Sequence, residues 1–159
     1  MIRLAGIVLA ALACGAASCQ DGSPTAEAGG EPVPLVTLVQ RSIPAQAGPR
    51  RQELIRDAAT WRTAWSEIRE GSALPEEPPT VDFDRDMVVL AAMEMQSCVS
   101  RVTIQSVARA GNEVVISILE APPAPNCVCI TAERPIHIVR APKLDGRPRF
   151  VVTEGQTTC

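Results

Sequence analysis

At 159 residues the chain has room for one domain of moderate size. Fifteen Lys and Arg against eighteen Asp and Glu leave a net charge of -3. With no basic stripe to neutralise a run of phosphates, nucleic acid is excluded as a partner class.

The chain opens with Arg3, an apolar run from Leu4 to Ala13, and then small residues, which is the layout of a secretory signal. A membrane span needs about 20 apolar residues, so this run is too short to be one. Ala16-Ala17-Ser18-Cys19 resembles a bacterial lipobox, with Ala11-Leu12-Ala13-Cys14 as the rival site. Length and parity favour Cys19: its lipidation leaves an even set of four cysteines, Cys98, Cys127, Cys129 and Cys159, as an oxidising compartment favours. The expected organisation is a lipoprotein signal over 1–18, a Gly- and Pro-rich tether over 19–34 and a folded domain over 35–159. Plain secretion into the periplasm or medium ranks second.

The stretch 34–44 is β-rich and ends at Pro44, which suits a first or edge strand. Asp57 is a good helix N-cap. Ala58, Trp61, Trp65 and Ile68 then recur at three- and four-residue steps, and Gly71 stops the pattern. The tryptophan pair reads as core, because only two Phe and no Tyr are available to supply bulk. After a Pro-rich loop, Met87 to Met95 reads as a buried central strand. Two alternating runs meet at Gly111-Asn112, a tight hairpin. "CVCITAE", "PIHIVRAP" and "RFVVTE" complete the set, divided by Pro135, Pro142 and the "KLDGRP" turn. The expected fold is α+β: a mostly antiparallel domain of about seven strands with one amphipathic helix.

Residues for catalysis do not converge in this pattern. His137 is the sole histidine, it alternates with Ile136 and Ile138, and a strand there puts it on the opposite, surface face. No nucleophile elbow, phosphate-binding loop or zinc-protease helix motif is present, so the expectation is a protein that is not an enzyme and needs no cofactor. Asp82, Asp84 and Asp86 imitate the start of a calcium loop, but Met87 and Met93 stand where that loop requires Gly and Glu. Cys127 and Cys129, with Met93 and Met95, form a soft-sulfur set that suits Cu(I), which is kept as an alternative alongside zinc.

A disulfide reading uses all four mature cysteines. On an extended strand Cys127 and Cys129 have Cα atoms roughly 6.6 Å apart with nearly parallel side chains, so a mutual bond is strained. The hairpin over 101–119 returns the chain towards Cys98. The preferred pairing is Cys98 with Cys127 and Cys129 with Cys159, among three possible connectivities.

Three blocks in order, "LIRDAATWRTAW" (54–65), "PPTVDFDRDMVVLAAMEMQS" (78–97) and "RPIHIVRAPK" (134–143), resemble the C-terminal domain of the protease complex subunit PrcB family. The family is named for a lipoprotein that stabilises a surface protease complex without catalysing. The resemblance therefore implies an envelope lipoprotein, held to the membrane by its lipid, that binds and stabilises an exported protein such as a protease complex. Where family members often carry a Gly-Gly-Tyr turn, this chain has "SCVSR" at 97–101, so the identity of the partner is not carried over. The alternatives are an envelope copper- or zinc-handling protein and a small secreted protease inhibitor.

Overall fold

Asp57 starts the helix as its sequence demands. Its carboxylate accepts the backbone N–H groups of Ala59 (3.0 Å) and Thr60 (2.8 Å), satisfying two donors that the first helical turn leaves open. These bonds, chiefly that from Thr60, hold the carboxyl below its usual range. The helix α1 spans Ala58–Arg69 and buries Trp61, Ala64, Trp65 and Ile68. Ala64 takes the place expected for Ala58, which is exposed. Gly71, at φ +69°, follows the last turn.

The coordinates are a computed structural model that describes residues 30–44, 49–97, 100–130 and 132–158. In chain order β1 (Val36–Pro44) and β2 (Arg51–Ile55) precede α1, and β3 (Asp86–Ala92), β4 (Gln96–Ser97), β5 (Arg101–Ala110), β6 (Glu113–Ala121), β7 (Ala132–Pro142) and β8 (Arg147–Glu154) follow it. One sheet has the order β1-β7-β3-β2, with β4 also on β7, and the other has β5-β6-β8. Among the described residues the fold is α+β with a single helix, as expected, and every pairing of named strands is antiparallel except β6 with β8. That parallel pair arises because the connection into β8 starts in the other sheet rather than from a neighbouring hairpin.

The layers explain the hydrophobic pattern. β3 is central, with β2 on one side and β7 on the other, and both of its faces are covered. Val88, Leu90 and Ala92 pack with α1, whereas Met87, Val89, Ala91 and Met93 face the second sheet. A continuous apolar run is what such a strand requires. β7 divides likewise, with Ile136 and Ile138 towards the helix and Val139 and Ala141 towards the second sheet. The order from outside to outside is helix, larger sheet, smaller sheet.

The Gly111-Asn112 hairpin forms as read, with Ala110 opposite Glu113 and Gly111 at φ +59°. Gly146 serves a close approach: a Cβ there would lie 2.8 Å from the Asn112 carbonyl oxygen. Two expectations need correction. Pro135 does not separate two strands, because β7 runs through it. Its carbonyl accepts the Met93 N–H (3.1 Å), so its missing N–H would face the side where β3 has already ended. The second concerns "CVCITAE", where the strand begins only at Ala132 and residues 127–130 are irregular.

Candidate functional site: a disulfide-anchored loop

The segment between β6 and β7 contains Pro122, Pro123 and Pro125, three residues with no N–H to continue a ladder. β6 therefore stops at Ala121. Ala124 to Cys127 then form a turn in which the Cys127 N–H donates to the Ala124 carbonyl (3.0 Å), with Pro125 and Asn126 in the central positions that such turns favour. The alternation of Val128 and Ile130 imitates a strand, but among the described residues no strand pairs with them.

The base of the loop is fixed by the chain that follows β8. Gly155 N–H donates to the Glu120 carbonyl (2.8 Å), and Thr157 donates to the Pro122 carbonyl from its N–H (3.0 Å) and its hydroxyl (3.3 Å). The Glu120 carboxylate, 3% exposed, pairs with Arg50 at 2.7 Å. Burial pushes this carboxyl up from its usual range, with Arg50 opposing the shift. Arg50 thereby ties the chain entering β2 to the end of β6.

Beyond that base, Val128 is 94% exposed and Ile130 is 102% exposed. Single exposed aliphatics are common on protein surfaces. Here two stand one residue apart on a segment whose cysteines, Cys127 and Cys129, are both disulfide-bonded. A covalently restrained loop loses little further freedom on binding, so its apolar side chains are presented at low entropic cost.

The remaining residues singled out by sequence are dispersed. Cys14 and Cys19 lie outside the described residues, as do Cys98 and Cys159. β3 ends at Ala92, Met93 is buried in the layer between the sheets and Met95 is 46% exposed, so no strand face presents the two together. Strand geometry does not hold at residues 127–129, so the Cα separation of an extended strand does not apply to Cys127 and Cys129. Cysteines already in disulfides offer no thiolate to copper or zinc. Among the described residues no group of three or more His, Cys, Asp or Glu is arranged for a metal. Among them, too, no helix is long and apolar enough to cross a membrane.

His137 lies on the opposite face from its isoleucine neighbours, as the alternation requires, but that face is covered by the second sheet and the ring is 4% exposed. The surface role expected for it is thus overturned. Because β5 is the edge of its sheet, the Ile104 N–H finds no strand on that side, and His137 Nδ1 accepts it at 2.8 Å. Nδ1 is then unprotonated, so the hydrogen resides on Nε2 and donates to Thr37 Oγ1 at 3.2 Å. Gln40 Nε2 donates to Thr103 Oγ1 (3.4 Å) beside it, and together these bonds join the edges of the two sheets.

Burial holds His137 below its usual value of 6.5, so the native state resists a proton that the unfolded chain accepts. Its contribution to stability is complete above pH 6.5 and declines as pH falls from there towards the depressed native value. Compared with a His137→Gln variant, the wild-type unfolding free energy should decline more steeply on acidification below pH 6.5, by up to about 1.4 kcal/mol per pH unit. Glu120, whose carboxyl is raised, has the opposite slope above its usual value and cancels in that difference. Urea unfolding from pH 5 to 8 measures it, and parallel curves would show that His137 keeps its charge state on folding.

Comparison of the chain with protein-family models, with curated proteins and with solved structures returned no match.

Proposed function

We propose that this chain is a non-catalytic, lipid-anchored envelope protein that uses the 122–130 loop to bind and stabilise an exported protein. The observation that carries this reading is the full exposure of Val128 and Ile130 on a loop whose two cysteines are disulfide-bonded. Covering one aliphatic side chain contributes about 1.5–3 kcal/mol, so the two would serve as anchors at the centre of an interface whose surroundings add the rest. The resemblance of roughly residues 50–143 to the PrcB family supplies the partner class, a protease complex, and the lipobox-like Cys19 supplies the anchor. The pairing proposed for the loop is Cys98 with Cys127 and Cys129 with Cys159. Ala121 lies opposite Arg101, three residues after Cys98, and Thr157 bridges Pro123, two residues before Cys159.

The loop also favours one alternative, a protease inhibitor, since an exposed segment pinned by disulfides has the form that a protease cleft accepts. Affinity capture of the full chain from detergent-solubilised membranes tests both readings. Recovery of an exported partner in fixed ratio, reduced at least tenfold by Val128→Asp with Ile130→Asp, is the expected result. An active protease complex supports stabilisation, and a captured protease that is blocked supports inhibition. Equal capture by wild type and the double variant would remove the loop from either role.

A further inference from the structure

The junction where β1, β5 and β7 meet encloses a second feature, unrelated to the loop. A cavity of about 370 Å³ opens there, with Gln40, Arg41, Ser42, Ser100 and Arg101 as its polar lining. Ser100 continues the inward face of Val102 and Ile104 and is 7% exposed. Its hydroxyl is buried and has no hydrogen-bond partner. Buried hydroxyls are almost always paired, because desolvation without a partner is unfavourable, so an orphan beside a cavity is a donor that a ligand atom can satisfy. Among the described residues no carboxylate lines the cavity, and neither Arg41 nor Arg101 has an ion-pair partner.

We infer that this cavity binds a small organic carboxylate. The two arginines, both exposed, supply positive charge at the mouth, and guanidinium suits a carboxylate through paired N–H donors. Ser100 donates its hydroxyl from within. The buried part of the site thus offers a neutral donor and no cation, which accommodates one oxygen of a singly charged group. A phosphate dianion would be desolvated there without compensation. The volume exceeds what a bare ion fills and falls in the range of small-molecule sites, and Val102 and Pro135 provide an apolar wall for a carbon skeleton.

Calorimetric titration of the full chain with phenylacetate and succinate tests the assignment, with methyl phenylacetate as the neutral control and inorganic phosphate as the second anion. The expected result is saturable binding of at least one carboxylate at one site per chain. Arg101→Gln should weaken it at least tenfold and Ser100→Ala about threefold, and the ester should not bind. Because Ser100→Ala removes an unpaired hydroxyl, its melting temperature without ligand should equal or exceed that of the wild type. Absence of saturable carboxylate binding would overturn the inference. So would phosphate binding of equal affinity, binding unchanged in both variants, or a lowered melting temperature in Ser100→Ala.

Discussion

Replacing Trp65 with Ala should destabilise the domain by about 3–5 kcal/mol, among the largest effects of any single side chain truncation here. Trp65 is 1% exposed and meets Trp61 edge-on at a ring-centroid distance of 5.4 Å. Its indole N–H donates to the Pro75 carbonyl at 3.1 Å, and Trp61 does the same to the Pro79 carbonyl at 3.0 Å. The two rings therefore tether the Pro-rich loop to the helix as well as filling the layer between α1 and the larger sheet. Truncation leaves a cavity, removes the ring contact and orphans a carbonyl. With domains of this size stable by about 5–15 kcal/mol, the variant should be close to unfolding. Urea denaturation measures the loss, and Trp65→Phe, which keeps most of the bulk but not the donor, should lose less than half as much. Equal losses for Ala and Phe would mean that the hydrogen bond, rather than packing, dominates.

The second large effect belongs to the disulfides. Removing the proposed Cys98–Cys127 link with Cys127→Ser should cost about 3–4 kcal/mol, the value expected when a loop of that length is released in the unfolded chain. Cys129→Ser should release the loop from the C-terminus, and it should weaken partner capture as strongly as the Val128 and Ile130 replacements do, even though both aliphatics are kept. Peptide mapping under non-reducing conditions reads the connectivity directly. A Cys127–Cys129 bond in that map, or unchanged stability in reductant, would refute the proposed pairing.

Stability and the proposed recognition are separated in this fold by layer. The tryptophans, the central strand and His137 lie within or between layers, where each atom removed leaves a gap or an unpaired group. Val128 and Ile130 touch none of these layers, so their replacement by Asp should leave the unfolding free energy within about 0.5 kcal/mol of wild type. That contrast lets a lost interaction be told apart from a lost fold.

The sequence by itself determined the elements whose cause is local. Asp57 and the 3.6-residue recurrence of Trp61, Trp65 and Ile68 specify the helix, because capping and amphipathicity act within a few turns. Gly111-Asn112 specifies the hairpin through backbone conformation alone. The run beginning at Met87 marks a strand covered on both faces, since only such a strand can be apolar at every position. Other outcomes depended on what lies across a layer. His137 has the same alternation as a surface residue, and only the arrival of β5 over it makes it a buried acceptor. Pro135 continues a strand because β3 happens to stop beside it. Val128 and Ile130 have a strand-like alternation, yet among the described residues no strand arrives to pair with them, and the three prolines before them were the local signal of that outcome. Ser100 carries no mark in the sequence, and its unpaired hydroxyl exists only because two sheet edges enclose it. Periodicity records how a residue is turned relative to its own element, whereas tertiary structure decides what stands opposite.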